Sequence, residues 1–427
     1  MRILIYGLNY SPELTGVGKY TGEMAAWLAA KGHEVRVVTA PPYYPSWRID
    51  ERYSGRRYRI ESDKNRSGPK VYRCPLWVPS VPGGATRLLH LSSFAVSSLP
   101  VMALQALWKP DVIFTVEPTF FAAPVALLSA AVSGAASWLH VQDFEVDAAF
   151  DLKLLPPGGS MHSIAKGLER FFTGCFSRVS SISHKMVERI SARGQLRNDV
   201  VLFPNWGDVD LVRPAPREAA NSFREELGLT KKIVFMYSGN MGTKQGLDVL
   251  APLAEAFKND ARVHFLFCGD GVYRHQLEKQ VRHRANVTML PLQPNDRLNE
   301  LLNAADIHLL PQKRGAADLV MPSKLNGILA SGRPVIATSD EGTQVALVVA
   351  GCGLVVPAED SAALCAASAR LVESAELRAS LGSAAREYAV KHLSKEQVLR
   401  RFELDMLALL TPPEKAEEIH LARSYRS

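Results

Sequence analysis

A glycine-rich turn in the second half of the chain has the composition of a diphosphate-binding site. It follows an apolar run at residues 233–237, reads Ser-Gly-Asn-Met-Gly-Thr-Lys, and precedes a predicted helix. Glycines let backbone amides approach an anion closely, and the N-terminus of the following helix adds about half a positive charge. The turn therefore predicts a diphosphate site, with a tight connection and a solvated lysine as the alternative. Its candidate binding residues are Gly239, Asn240, Gly242 and Lys244.

Two further charged residues follow the predicted elements of the same half. Lys324 lies in Met-Pro-Ser-Lys near the start of a predicted helix, where its cation can share the charge of a phosphate with Lys244. Glu341 follows the predicted strand 335–338, where a carboxylate can bind ribose or sugar hydroxyls. A role for Glu341 as the N-cap of the next helix is equally compatible with its position.

A second glycine-rich segment lies near the N-terminus and does not fit the dinucleotide-binding fingerprint. Gly16, Gly18 and Gly22 are spaced one residue too far apart for Gly-x-Gly-x-x-Gly, and they lie ten residues beyond the first strand. The second strand also ends in Thr-Ala-Pro, without an acidic residue for a ribose hydroxyl. The segment therefore does not predict NAD. Because Gly16 and Gly18 stand at a helix N-terminus, they suit a phosphate or a sugar, and a simple turn is the alternative.

A polar cluster follows the predicted strand 136–141 in the first half. His140, Gln142 and Asp143 stand at the carboxyl end of this strand, a common position for ligand-binding residues in doubly wound domains. Alternation puts His140 and Gln142 on one side of an extended strand and Asp143 on the other, so one ligand contacts all of them only if the chain turns. His140 and Asp143 are the catalytic candidates, with a hydrogen-bonded core histidine as the alternative for His140.

The elements that position these residues alternate between apolar strands and amphipathic helices along the chain. This pattern predicts α/β architecture with parallel sheets covered on both faces. Two domains are expected at 427 residues, and a segment rich in Pro, Asn and Gly at 204–216 marks the boundary. We predict doubly wound, Rossmann-like domains over 1–205 and 206–394 that face a central cleft, where ligands of such sheets bind. A helix at about 395–411 is expected to pack back on the first domain, followed by a polar tail at 412–427.

The composition argues against several other classes of protein. Nearly half of the residues are apolar and about a fifth are charged, which excludes a wholly disordered chain. The five cysteines are scattered without a Cys-x-x-Cys pair, so neither a zinc site nor a disulfide framework is expected, and a reducing cytosol fits. The chain opens on a strand without an apolar leader, which predicts a cytoplasmic location. No nucleic-acid-binding motif accompanies the net charge of +7, so no nucleic-acid partner is expected.

Basic and apolar stretches near the N-terminus raise the question of a membrane. Residues 48–73 carry nine Arg or Lys against four Asp or Glu, which is typical of a solvated loop or of a surface attracted to anionic lipid or a diphosphate. Residues 88–108 lack charge and fit either an interfacial helix or an ordinary core helix. A second uncharged stretch, 119–140, is predicted to hold a buried crossover helix. We expect peripheral membrane contact through residues 48–109.

These motifs together resemble those of the retaining GT-B glycosyltransferases of family 4. Within that family the chain is similar to the WcaI-type branch, which builds colanic acid and related exopolysaccharides. The resemblance covers nearly the whole length. The motifs that carry it are residues 10–13 with 16–18, 140–143, 204–206, 238–242, and 321–324 through 334–335.

The resemblance implies a role for most of the residues described above. Lys324 and residues 239–244 are expected to hold the diphosphate of a sugar donor, with the glycine loop at 16–18 beside it. His140 and Asp143 are expected to face the transferred sugar or the acceptor. No metal or other cofactor is expected, because lysines and a helix N-terminus can neutralise the leaving diphosphate.

The chain departs from the family pattern in two places. Much of the family has a lysine where Gln245 stands here, and Lys244 lies one residue earlier. The paired glutamates of the family, eight positions apart, correspond to Leu319 and Gly327, so their usual chemistry is not assigned to this chain. The candidates to compensate are Asp318 and Glu341.

We therefore expect a glycosyltransferase that moves a hexose, with fucose from GDP-fucose as one candidate, from a nucleoside-diphosphate donor. The expected acceptor is a polyprenyl-diphosphate-linked saccharide at the cytoplasmic face of the membrane, and retention of configuration follows from the resemblance only. Two other classes remain open. One is a nucleotide-sugar 2-epimerase of similar architecture, which needs no acceptor, and the other is a catalytically weak binding subunit of a polysaccharide assembly complex.

Overall fold

The chain forms two compact units in the computed structural model. One unit comprises Met1–Pro204 with the described residues from Leu399 onward, and the other comprises Asn205–Val398. These limits lie within a few residues of the predicted 1–205 and 206–394, and the predicted tail at 412–427 lies outside the described residues. The structure describes residues 1–13, 16–44, 46–62, 68–80, 83–116, 120–144, 160–192, 200–216, 219–242, 245–314 and 322–411.

The first unit is built on an eight-stranded sheet of mostly buried, apolar strands. Its strands are β1 Arg2–Gly7, β2 Glu34–Thr39, β3 Arg59–Glu61, β4 Lys70–Arg73, β5 Val112–Val116, β6 Ala136–Val141, β7 Arg178–Ser181 and β8 Val200–Leu202. They lie in the order β3-β4-β2-β1-β5-β6-β7-β8, and each neighbouring pair is parallel except β3 with β4. A parallel sheet needs cover on both faces, which explains why its central strands are continuously apolar.

The helices of this unit lie on the two faces of the sheet according to the direction of each crossover. They are α1 Gly16–Ala30, α2 Gly84–Leu107, α3 Ala123–Ser133, α4 Ser160–Cys175 and α5 His184–Ala192. The connection from β1 to β2 crosses the sheet in one direction, whereas those from β4 to β5, β5 to β6 and β6 to β7 cross it in the other. Because such connections are right-handed, α2, α3 and α4 lie together on the face opposite α1.

The second unit has a six-stranded parallel sheet. Its strands are β9 Ile233–Ser238, β10 Val263–Cys268, β11 Val287–Leu290, β12 Ile307–Pro311, β13 Val335–Thr338 and β14 Gly353–Val356. The order β11-β10-β9-β12-β13-β14 reverses direction between β9 and β12, which makes the carboxyl ends of these two strands the switch point where ligands bind. Its helices are α6 Ser222–Glu226, α7 Leu250–Ala256, α8 Arg274–Val281, α9 Leu298–Asn303, α10 Ser323–Ala330, α11 Gln344–Val349, α12 Ser361–Glu373 and α13 Ala375–His392.

The last helix, α14 Lys395–Leu410, contributes to the core of the first unit. Phe402 is buried and stacks on Phe203 with ring centres 4.2 Å apart, and its ring also lies 4.9 Å from that of Phe114. Glu403 accepts a hydrogen bond from the ring of His33, which follows α1, at 2.7 Å. The first unit is therefore completed by residues from both ends of the chain.

The basic segment at 48–73 contains two strands, β3 and β4, that its charge pattern did not predict. Arg73 is 3 % exposed, and its guanidinium donates to the carbonyl oxygens of Ser11 and Ala40, at 2.5 and 3.0 Å, and to Glu61 at 3.2 Å. An arginine is tolerated in a buried strand when its donors are satisfied in this way. The predicted crossover helix within 119–140 is α3, which connects β5 to β6. The prediction that it is buried is wrong for its outer side, because Leu128 is 62 % exposed.

Candidate functional site

The glycine turn at residues 238–242 leaves the carboxyl end of β9, at the switch point of the second sheet. Gly239 has φ of +122°, a conformation that favours glycine. Its N–H donates to the carbonyl oxygen of Cys268 at 3.0 Å, and the Met241 N–H donates to that of Asp270 at 2.7 Å. Because the Met241 side chain is fully buried, the turn is held at a defined place above the sheet.

A second glycine turn, at the end of β10, supports the first one. Gly269 and Gly271 have φ of +152° and +144°. A Cβ atom at Gly269 would overlap the carbonyl oxygen of Gly239, and one at Gly271 would lie 2.6 Å from that of Met241. The two turns therefore pack backbone against backbone, which only glycine permits. Sequence reasoning missed this turn, although Gly-Asp-Gly directly after an apolar strand was a usable signal.

The side chain of Lys324 lies against the first glycine turn. Lys324 is in the first turn of α10, and its Cδ atom is 3.6 Å from the position of a Cβ atom on Gly239. Its Nζ atom donates to the Tyr237 hydroxyl at 2.9 Å and lies 4.2 Å from the centre of that ring. The Tyr237 hydroxyl in turn donates to the carbonyl oxygen of Asn240 at 2.5 Å. The structure thus brings three predicted binding residues, Lys324, Gly239 and Asn240, to one place.

The chain beyond the turn packs against the end of β12. Gly246 has φ of +60°, and a Cβ atom there would lie 2.6 Å from the backbone carbonyl carbon of Gln312. Gln312 directly follows β12, so the residues after both switch-point strands meet. At Gly242 a Cβ atom would lie 2.7 Å from the side-chain oxygen of Gln245. Lys244 lies outside the described residues, and its predicted role stays a prediction.

Burial changes the electrostatics of the pair formed by Lys324 and Tyr237. Loss of hydration lowers the pKa of Lys324 to about 8, because the charged ammonium is the form that burial disfavours. Burial also raises the pKa of Tyr237, so its hydroxyl stays protonated and can donate to Asn240. A negatively charged ligand would stabilise the ammonium electrostatically and so offset the hydration energy that the ammonium loses on burial. This arrangement favours an anion over a neutral ligand beside Lys324.

This pKa predicts how anion binding depends on pH. Below pH 8 the side chain of Lys324 is mostly the charged ammonium before the ligand binds. Above pH 8 it is mostly the neutral amine, so Lys324 must take up a proton when a diphosphate binds. We expect the affinity for a nucleoside diphosphate to fall about tenfold between about pH 7 and pH 9. Isothermal titration calorimetry across this range, with Lys324→Arg as the control that stays charged, measures the effect. An affinity of the wild-type protein that does not change with pH would contradict the assignment.

Glu341 is exposed and is not the N-cap of the following helix. That position is taken by Thr343, whose hydroxyl accepts a hydrogen bond from the Ala346 N–H at 3.2 Å and lies 2.8 Å from the Ser339 hydroxyl. The capping alternative for Glu341 is therefore wrong. Its binding of ribose or sugar hydroxyls stays a prediction.

The two positions that correspond to the family's paired glutamates are Leu319 and Gly327, and the surroundings of Gly327 do not favour a carboxylate. Gly327 lies within α10, and a Cβ atom there would lie 3.2 Å from the Cδ1 atom of Leu302, so this position packs against an apolar side chain. Leu319 and Asp318 lie outside the described residues. Among the residues that the structure describes, no group of three or more His, Cys, Asp or Glu side chains is placed to hold a metal ion.

The first unit holds its glycine loop through a buried glutamate that was not among the predicted site residues. Gly16 has φ of +59° at the start of α1, and a Cβ atom on Gly18 would lie 2.5 Å from a carboxylate oxygen of Glu13. Glu13 is 5 % exposed and accepts hydrogen bonds from the backbone N–H groups of Tyr43 and Tyr44, each at 3.1 Å, and from the side-chain amide of Asn9 at 3.0 Å. Burial raises the pKa of Glu13 despite these donors. A carboxylate directly before a glycine loop was the available sequence signal.

His140 lies in the core of the first unit. Its ring is 2 % exposed, lies 4.9 Å from that of Phe203, and stacks on Phe114 at 5.7 Å. Its Nδ1 atom is hydrogen-bonded to the Ser180 hydroxyl at 2.9 Å. Burial lowers the pKa of His140 to about 3, so the ring is neutral at physiological pH. This is the arrangement of the core histidine considered above, while Asp143, also a catalytic candidate, is half-buried.

Comparisons with known proteins agree with the resemblance in both halves of the chain. Residues 15–206 match the glycosyl transferase 4-like domain, and residues 220–388 match the glycosyl transferases group 1 family. The chain is 44 % identical, over 94 % of its length, to the putative colanic acid biosynthesis glycosyl transferase WcaI of Escherichia coli K12, and the match covers 98 % of that protein. It is also 30 % identical to the probable glycosyltransferase WbjE of Pseudomonas aeruginosa, over 62 % of this chain and 68 % of that protein.

Solved structures share the fold at low sequence identity. The sucrose-phosphate synthase of Thermosynechococcus elongatus superposes with a TM-score of 0.69 at 16 % identity, covering 94 % of this chain and 98 % of that one. HepE of Anabaena in complex with UDP superposes with a TM-score of 0.65 at 15 % identity, covering 96 % of this chain and 100 % of that one. The two Rossmann-like units are those of the GT-B fold, as predicted.

Proposed function

The chain belongs to the group 1 glycosyltransferases, and from this premise we propose that it transfers a hexose from a nucleoside-diphosphate sugar to a polyprenyl-diphosphate-linked saccharide. The proposed pathway is the biosynthesis of a colanic-acid-like exopolysaccharide, since the relative that is 44 % identical is named for colanic acid. The proposed sugar is fucose, from GDP-fucose, transferred with retention of configuration. The proposed place of reaction is the cytoplasmic face of the membrane, where such an acceptor is anchored.

The contact of Lys324 with the glycine turn is the observation that carries this proposal. It joins a partly buried cation, a glycine turn and the N-terminus of α10 at the switch point of one sheet. These are the groups that bind a diphosphate in proteins. The negative charge that develops on the leaving diphosphate is stabilised by such groups without a metal ion.

The other predicted residues are given roles that follow from their chemistry. Gly239, Asn240 and Gly242 are proposed to bind the donor diphosphate together with Lys324. The remaining proposed donor contacts are Lys244, Glu341, Gly16 and Gly18.

Asp143 and His140 are proposed to face the transferred sugar or the acceptor. With a pKa of about 3, His140 is an uncharged hydrogen-bonding group at neutral pH and is poorly matched to the role of a base. Asp143, which is half-buried, is therefore the stronger candidate for orienting an acceptor hydroxyl or stabilising positive charge on the sugar.

A screen of UDP-, GDP- and ADP-sugars by thermal shift tests donor binding. A true donor at a hundred times its dissociation constant stabilises the protein by about 2.7 kcal/mol. The selected donor is then incubated alone and with a lipid-linked saccharide, with and without EDTA. We expect release of the nucleoside diphosphate only with the acceptor, at an equal rate in EDTA. Conversion of the donor alone indicates an epimerase, and donor binding without release under any condition indicates a binding subunit.

A further inference from the structure

Helix α2 is apolar on the side that faces solvent as well as on the side that faces the sheet. On the inner side Phe94 and Met102 are buried, and the Ser98 hydroxyl lies 2.6 Å from that of Tyr6. A solvent-facing helix side normally carries polar residues, whereas α2 carries no charged residue after Arg87 in its first turn. The large apolar side chains exposed there are Leu89, Val96, Leu99, Leu104 and Leu107.

The next two helices repeat this pattern. In α3 the exposed side chains include Leu128, 62 % exposed, and Val132, 68 % exposed, which are spaced by one helical turn. In α4 they are Ile164, Leu168 and Phe171, spaced by four and three residues and 60, 47 and 60 % exposed. Each helix therefore presents an apolar stripe to solvent in addition to its buried face.

The three stripes belong to one surface. Helix α2 packs against α3, and α3 packs against α4. All three lie on the same face of the first sheet, because their crossovers run in the same direction across it. We call this surface, formed by the exposed sides of α2, α3 and α4, the three-helix surface. A contiguous apolar patch of this kind indicates a contact with a partner or a membrane.

The charges and aromatic residues around the three-helix surface favour a membrane over a second copy of the chain. The cations of the three helices are Arg87, Lys166 and Arg170, and their single carboxylate, Glu169, is 8 % exposed. A second copy would bring like charges together, whereas anionic headgroups complement them. Trp77, which is 47 % exposed, donates its backbone N–H to a side chain of α2, and aromatic residues of this kind suit the boundary between headgroups and hydrocarbon.

Helix α2 is also the one helix, among the described residues, that is long and apolar enough to cross a membrane, over Thr86–Leu107. The inner side of α2 is part of the core of the first unit, and 39 % of this apolar stretch is buried. Leaving the sheet would expose Phe94 and the strands beneath it. The arrangement therefore suits a helix that lies along a membrane surface.

We propose that the three-helix surface docks on an anionic lipid bilayer. This docking extends the predicted membrane contact beyond residues 48–109 to α3 and α4. Its purpose, access to a lipid-linked acceptor, rests on the proposed function. The apolar side chains enter the boundary of the hydrocarbon layer, while the cations contact the headgroups.

Flotation with vesicles tests this docking on the full chain. Vesicles of phosphatidylcholine alone are compared with vesicles that also contain phosphatidylglycerol. We expect the wild-type protein to float with the anionic vesicles, and Leu128→Glu and Leu168→Glu each to lower the partition coefficient at least about tenfold, because each places a charge where a leucine is buried in lipid. The matched control is Leu347→Glu in α11 of the second unit, where the leucine is 54 % exposed and the expected partition is that of the wild type.

Three results would overturn the proposal. They are a wild-type protein that does not float, unchanged flotation of the Leu128 and Leu168 variants, and a wild-type dimer that Leu128→Glu dissociates, which assigns the surface to a second copy. Thermal shift with the donor, run on the same proteins, shows that each variant is folded. It also separates the two proposals: donor binding without flotation overturns only the docking, and flotation without binding of any nucleotide sugar overturns only the proposed function.

Discussion

Replacing Lys324 by alanine is expected to lower turnover at least a hundredfold while the protein still folds. Removal of one group that stabilises developing negative charge typically raises the barrier by about 3 to 4 kcal/mol. Lys324 contacts the glycine turn directly and reaches Tyr237 with its only described hydrogen bond. Burial lowers the pKa of Lys324, which means that the charged ammonium destabilises the folded protein. We therefore expect the protein to stay folded when this group is removed. Steady-state kinetics with donor and acceptor measure the change.

A lysine elsewhere in the second unit provides the control for Lys324→Ala. Lys258 has a side chain that is 56 % exposed and pairs only with the nearby Glu255 on the surface among its described contacts. We expect Lys258→Ala to retain wild-type turnover. Near-normal turnover of Lys324→Ala, with a melting temperature close to that of the wild type, would remove Lys324 from the site.

Replacing Gly269 by alanine is expected to destabilise the second unit and to disrupt donor binding. At φ of +152° an alanine is strained, and its Cβ atom would overlap the carbonyl oxygen of Gly239. Backbone strain and overpacking together are expected to cost about 3 kcal/mol. For a unit of this size, such a loss lowers the melting temperature by at least about 6 °C. Because the overlap is with the glycine turn itself, relief by movement of that turn would also weaken the affinity for the donor.

Scanning calorimetry and titration with a nucleoside diphosphate measure the two effects of Gly269→Ala. The matched control is Gly351→Ala, since Gly351 is exposed and a Cβ atom there would meet no atom within 4 Å. We expect the control to keep wild-type stability and affinity. Wild-type affinity and stability of Gly269→Ala would show that the two turns do not depend on each other.

The surroundings of Lys324 are relevant to catalysis because this chain has Leu319 and Gly327 where the family has paired glutamates. Gly327 stands at one of the two positions and packs against Leu302, so a carboxylate there would be poorly solvated. The described part of the proposed donor site instead contains Lys324, a tyrosine hydroxyl and glycine backbone. We infer that charge neutralisation of the leaving diphosphate carries a large share of the catalysis. The large expected effect of Lys324→Ala tests this inference.

Several features were predictable from sequence because they depend on local patterns. Strand-length runs at 136–141, 233–237 and 335–338 placed β6, β9 and β13 within one residue of their observed bounds. The same patterns did not predict β3 and β4, because their many charges are typical of a surface loop, and pairing with β2 overrides that preference. The Gly-rich turn after β9 was recognised because glycine composition next to a strand end is itself a local signal.

The sequence by itself determined the α/β architecture, the family of the chain and the glycine turn with Lys324 as the candidate diphosphate site. It did so because periodicity, glycine composition and motif spacing are properties of short segments. Only the tertiary structure decided that Gly269 supports Gly239, that Arg73 is buried, and that α2, α3 and α4 share one exposed apolar surface. These features depend on which residues meet across the fold, since burial and close approach are set by neighbours that are distant in the chain.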